Sequence, residues 1–244
     1  MEFMSDFITE ANSSECYQQA GDCLRVPYLL SEASSIQESI EDDTFDPKLV
    51  AKFLHDAQEE KKKLDAWPSS NDLEAVQSIE LPQQPILAEP ATYPQRIDIY
   101  RSITEASLYN KHRLVRIHLL SSIVTITRSA QAQPSMQPHI SRLLLTQLNA
   151  ETAIKSLVDD ICASVPYFMQ PQATASLQEF FPHRPEEARM SLDVTLEQIP
   201  ALSQMIPILQ GVCDEEYIPN SAKQWLSQYT SILSRSSTQG RIRT

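Results

Sequence analysis

A chain of 244 residues can bury one large core, but this one holds only three glycines, the isolated Gly21, Gly211 and Gly240. Their isolation excludes the G-x-G-x-x-G loop, the Walker A loop and the G-x-S-x-G elbow, and so few residues suited to αL turns favour an all-helical fold over a sheet. The formal charge of −12 is uneven: residues 1–92 carry 6 basic and 19 acidic side chains (−13), residues 93–146 carry 7 and 2 (+5), and the remainder 7 and 11 (−4), so the first third repels nucleic-acid phosphates while the middle complements that acidic arm or an acidic partner.

In chain order, residues 1–44 read as an acidic, partly ordered arm with one apolar knot at Val26-Pro27-Tyr28-Leu29-Leu30 and a short helix near 29–40. Asp46-Pro47 has the form of an N-cap followed by Pro at the first helical position. The helix it starts runs to about Leu64, with Val50, Phe53, Leu54, Ala57 and Leu64 inward and Glu59 to Lys63 on a solvated face. Trp67-Pro68 ends it. Pro82, Pro85, Pro90 and Pro94 mark 69–94 as an extended linker.

The stretch at about 95–130 has no internal Pro or Gly and reads as one long central helix. Ile99, Ile103, Ala106, Asn110, Arg113, Ile117, Leu120 and Val124 share a face. A helix of this length must be sheathed by others. Asn110 and Arg113 on its apolar stripe call for polar partners, with Asp159 and Asp160 as candidates for the guanidinium. Lys111 and Arg116 are expected to face solvent. A loop at 133–138 precedes a second long helix from about Ile140 to Ser164, whose apolar residues are Leu143, Leu144, Leu148, Ile154, Leu157, Val158, Ile161 and Cys162; Val165-Pro166-Tyr167 stops it. Helices are expected near 193–210 and 220–236, the second with Trp225, Tyr229, Ile232 and Leu233 on one face, before a frayed tail at 237–244. The domain reading is therefore an arm (1–44), an all-helical domain (45–236) and that tail.

The chemistry-bearing residues do not converge. Cys16 and Cys23 form a C-x6-C pair, Cys162 and Cys213 stand apart, and a closed zinc site needs four ligands. His112 and His118 lie about 120° apart around a helix, and Asp159 and Asp160 about 100° apart. We therefore expect no catalytic, cofactor-binding or metal-binding residues, and a non-enzymatic protein. The start, MEFMSDF, lacks the basic and apolar regions of a signal peptide, no apolar run approaches 18 residues, and the four cysteines read as reduced thiols inside a cell.

Two segments carry a family resemblance. One runs from Tyr93-Pro94-Gln95-Arg96-Ile97-Asp98-Ile99-Tyr100 through Ala106 to Tyr109-Asn110-Lys111-His112-Arg113-Leu114-Val115-Arg116-Ile117. The other is Asp160-Ile161-Cys162-Ala163-Ser164-Val165-Pro166-Tyr167. Together, with Trp67-Pro68 and Trp225, they resemble the regulatory region of fungal zinc-cluster regulators, the fungal-specific transcription factor domain, over roughly 45–235. The resemblance implies an all-helical regulatory domain of a nuclear protein, in control of metabolic or secondary-metabolite genes. The family's six-cysteine zinc cluster and its following basic stretch have no counterpart in this sequence, and Ile199 to Leu209 stands where the family tends to have a Trp-containing apolar block. The expectation is thus a regulator working through protein partners (a transcription factor, a co-regulator or a second copy) without direct nucleic-acid binding or a membrane, in the nucleus or the cytoplasm. The alternative is a helical small-molecule-binding or enzymatic accessory protein of a biosynthetic pathway, or a degenerate family member; the polar Asn110 and Arg113 on an apolar stripe motivate it.

Overall fold

The computed structural model describes residues 25–42, 44–67, 77–80, 96–100, 103–168, 206–213, 215, 217–218, 220, 222–228 and 230–231. These are overwhelmingly helical. The elements are α1 (Arg25–Glu41), α2 (Pro47–Asp65), strands β1 (Gln77–Glu80) and β2 (Arg96–Ile99), α3 (Ile103–Gln131), a 3₁₀ turn (Pro134–His139) and α4 (Ile140–Phe168). Residues 206–213 and 222–228 are also helical. The chain divides into two compact units, Met1–Asp72 with Lys111–Leu157, and Leu73–Asn110 with Val158–Thr244.

In the first unit, α1 and α2 form an antiparallel hairpin. Val26, Leu29, Ala33 and Ile36 recur every three or four residues on α1 and are buried, as are Val50, Phe53, Ala57 and Leu64 on α2. Ion pairs from Arg25 to Asp56 (3.1 Å) and from Lys52 to Glu32 (2.6 Å) join the two helices and fix their direction. Asp46 caps α2 as its sequence suggests: in an extended conformation it accepts from the Lys48 N–H at 2.9 Å, and Pro47 supplies the first helical residue. Residues 25–41, assigned from sequence to the arm, form a 17-residue helix instead of a short one. Residues 1–24 of the arm, including Cys16 and Cys23, lie outside the described residues.

The long central helix is present as α3, but it starts at Ile103, not near 95. At 29 residues it is about 43 Å long. Residues 96–99 instead pair antiparallel with 77–80 in the register Gln77↔Ile99, Ser78↔Asp98, Ile79↔Ile97 and Glu80↔Arg96. The physical reason is that a β-branched Ile-x-Ile alternation suits a strand as well as a helix start, and strand pairing needs a partner that local spacing does not reveal. The sheath expected around α3 is borne out by burial on successive positions: Leu119, Leu120 and Ser121 in one run, and Ile123, Val124, Ile126 and Thr127 after it. Three residues in a row cannot lie on one face, so α3 is covered on several sides. Thr127 is tolerated there because its hydroxyl donates back to the Ile123 carbonyl at 2.7 Å.

The expected loop at 133–138 is the 3₁₀ turn, with Met136 buried. The second long helix, α4, continues through Pro166 to Phe168. Proline so near a helix end sacrifices one backbone hydrogen bond, and the flanking Val165, Tyr167 and Phe168 are all buried, which holds the last turn in place. In the second unit, Ile97, Tyr100, Ala106, Val158, Ile161, Val165 and Phe168 are buried. Ile208, Leu209, Val212, Ala222 and Leu226 supply the buried residues of its C-terminal helical stretches. The remainder of the Pro-rich linker, the expected helical turns before 206, and Tyr229, Ile232 and Leu233 lie outside the described residues.

Candidate functional site

The segments that carry the family resemblance supply polar contacts of the second unit. Arg96, in β2, donates from Nε to Asp98 Oδ1 at 3.0 Å, and its Nη2 pairs with Asp160 of α4. The Ser78 hydroxyl donates to the same Asp98 oxygen at 2.7 Å. Asp98 is only 1% exposed, and a guanidinium and a hydroxyl take the place of water around its carboxylate. The helix expected over about 95–130 would include Asp98, but it is a strand residue, and Arg96 links it to Asp160 of α4.

About two turns into α3, Asn110 is fully buried. Its Nδ2 donates to Ser164 Oγ at 2.7 Å, and that hydroxyl donates in turn to the Ile161 carbonyl at 2.7 Å. Asn110 thus finds the polar partner its position demanded, in a hydroxyl. Beside it, the Tyr100 ring meets Tyr109 (centroids 5.7 Å apart) and Tyr167 (5.5 Å, edge-on), and Tyr167 meets Phe168 edge-on at 6.0 Å. Arg96 with Asp160, Asn110 with Ser164, and Tyr100 with Tyr167 are three contacts between two sequence segments more than fifty residues apart.

No family model, no curated protein and no solved structure matches the chain.

The first unit has its own polar cluster, built on the continuation of the same segment. Arg116 pairs through Nη2 with Asp65 at the end of α2, and Lys61 pairs with the other oxygen of that carboxylate. Trp67 lies against the His112 ring with centroids 4.3 Å apart. His112 is 5% exposed. One of its nitrogens bonds to the Leu64 backbone, while Nε2 has no hydrogen-bond partner among the described residues. Burial pushes the imidazole down to about 3, and the neighbouring Arg116 and Arg113 guanidiniums push the same way. Lys111 is buried and Arg116 is tied into the cluster, which corrects the expectation that both face solvent. Spacing along α3 sets both off the apolar stripe, but that part of the helix is covered on several sides, so a position off the stripe is not an open one. Arg113 is half-buried.

One further correction concerns burial. Glu60, read as part of a solvated face, is fully buried; one oxygen pairs with Lys63 at 3.2 Å and the other has no hydrogen-bond partner among the described residues. Conversely Leu144, Leu145 and Leu148 are 50%, 59% and 60% exposed, although α4 presents Leu143 and Ala150 to the core.

These groups are ill-suited to chemistry at neutral pH. The His112 ring is uncharged and buried, with a pKa far below the range that suits a general base. The Cys162 thiol is buried and pushed well above its ordinary value, first by burial and then by Asp159, so little thiolate is available. Among the described residues no three His, Cys, Asp or Glu side chains gather as a metal site would require, and no helix is long and apolar enough to cross a membrane. The outward-looking feature is the leucine face of α4. Sequence spacing assigned Leu144 and Leu148 to the apolar set of that helix without showing that they miss the core.

Proposed function

We propose that the chain is a helical regulatory domain of the fungal-specific transcription factor type, acting through protein–protein contacts in control of metabolic or secondary-metabolite genes. The observation that carries this reading is the meeting of the two family-like segments. Residues quoted for the resemblance, Arg96, Tyr100 and Asn110 on one side and Asp160, Ser164 and Tyr167 on the other, are partners of one another. Positions that match a family pattern and also hold one another form a structural unit, which chance matches at scattered surface positions would not do. The acidic balance of residues 1–92 supports protein partners over nucleic acid. An exposed trio of leucines on α4 suits such contacts.

The test is paired. Tagged full-length protein is recovered from nuclear extract and its companions identified by mass spectrometry, and the transcripts of a deletion strain are profiled. Co-purification of a zinc-cluster regulator or co-regulator, with a defined set of altered metabolic transcripts, is the expected result. Exclusion from nuclei with unchanged transcripts would overturn the reading.

A further inference from the structure

The leucine face of α4 lies wholly within the first unit. Leu144, Leu145 and Leu148 are each at least half exposed and sit three or four residues apart on adjoining turns, so they form one patch. At 3.6 residues per turn, Leu144 and Leu148 lean to one flank of the exposed face. Leu145, Asn149 and Arg142 lean to the other flank, while Ser141 and Thr152 run along the midline, all of them exposed.

This arrangement is its own complement. When two identical helices pack antiparallel about a two-fold axis, each flank meets the same flank of the second copy, and the contact is made twice. With the axis beside residue 146, Leu144 of each copy stands level with Leu148 of the other, on the shared flank. The two Leu145 side chains meet across the axis. On their flank, Arg142 stands within one residue of level with Asn149 of the second copy, whose amide oxygen can accept from the guanidinium. Along the midline, Ser141 comes level with Thr152 in the same way, hydroxyl to hydroxyl.

The charges fit the same pairing. Among the exposed positions of 141–156, the charged residues are Arg142 and Lys155. About the proposed axis the two Arg142 backbones lie about 12 Å apart along the helices and the two Lys155 backbones about 27 Å, beyond the screening length at physiological salt. Glu151 edges the Leu144 and Leu148 flank, where Arg128 (3.4 Å) and Gln147 (2.8 Å) of its own chain engage it. The pairing sets it level with Ser141 of the second copy, so like charges do not oppose one another. An acidic partner would instead meet Glu151, and a basic one Arg142 and Lys155.

The size of the face sets the strength. It is about 24 Å long and about 10 Å wide, less than the roughly 800 Å² per partner of a standard interface. The net charge of −12 also opposes the approach of two copies at low salt. The association is therefore weak and reversible, in the micromolar range.

We propose that the Leu144–Leu145–Leu148 face of α4 is a homodimer interface, with two copies packed antiparallel about a two-fold axis beside residue 146. The inference does not depend on the transcriptional reading, because its test reads association and not transcripts.

The test is sedimentation velocity on the full chain from about 1 to 200 µM at about 0.15 M salt. A reversible monomer–dimer equilibrium is expected. Leu145→Glu with Leu148→Glu should leave monomer throughout, with the circular dichroism spectrum unchanged because both side chains are exposed. Asn149→Asp, which offers a carboxylate to Arg142 of the second copy twice per dimer, should tighten the dimer at least three-fold. Asn149→Lys should weaken it by a similar factor. A wild-type chain that stays monomeric, larger assemblies, a dimer unmoved by the double leucine variant, or Asn149 variants that fail to move the equilibrium in opposite directions would overturn the proposal.

Discussion

Asn110 and His112 sit two residues apart on α3 and solve burial in opposite ways. Asn110 keeps its amide inside by donating to Ser164; removing the hydroxyl strands a buried donor. Ser164→Ala is expected to cost about 1–3 kcal/mol, and an Asn110→Ala, Ser164→Ala double-mutant cycle should return a coupling of about 1 kcal/mol by urea unfolding. Independent single effects would show that the two groups do not share a bond. His112 survives by staying neutral. Its folded pKa, about 3, lies below the unfolded value near 6.5, so the unfolded chain binds the proton more readily. The stability this group contributes is complete above pH 6.5 and is lost as pH falls toward 3. Between pH 7 and pH 5 the loss should be about 2 kcal/mol. His112→Gln should remove that component from the pH dependence of the urea midpoint; an unchanged pH profile would place the ring in contact with water. The polarity of both residues is legible in the sequence, as is the demand of Asn110 for a partner. That the partner is a hydroxyl 54 residues away is not, because spacing along one helix says nothing about its neighbours.

Individual elements show where local rules suffice and where they fail. The start of α2 needs only its own residues, since the Asp46 side chain and the Lys48 N–H are two positions apart. Asp46→Ala should accordingly cost about 1 kcal/mol in thermal or urea unfolding, and Asp46→Asn much less. The start of α3 was misread because Arg96–Ile99 has a strand partner in Gln77–Glu80. Ile97→Pro, which removes a backbone donor and fixes φ in the ribbon, is expected to destabilise by about 1–3 kcal/mol. A neutral effect, measured by urea unfolding, would return residues 96–99 to an unpaired approach to the helix. The leucines of α4 fail the local rule differently. Leu144, Leu145 and Leu148 satisfy the periodicity of a core face, but burial depends on which side of the helix has neighbours.

At the scale of the whole molecule, the two compact units and the uneven charge set what the protein can meet. With a net charge of −12 concentrated in residues 1–92, the full chain should not retard a DNA duplex in a gel at about 0.15 M salt; a shift that weakens as salt rises would show a basic surface missed by the charge balance. The amino-acid sequence by itself determined the helical class, through scarce glycine and long uninterrupted apolar periods. It also determined the cap of α2, the existence of two long helices and the charge asymmetry, because each rests on composition or on residues within a few positions of one another. Only the tertiary structure decided that Arg96 holds Asp98 and Asp160, that Asn110 meets Ser164, that Glu60 and Lys111 are inside, and that three leucines of α4 face outward. Those outcomes turn on desolvation, and whether a side chain loses its water is fixed by what packs against it from distant parts of the chain.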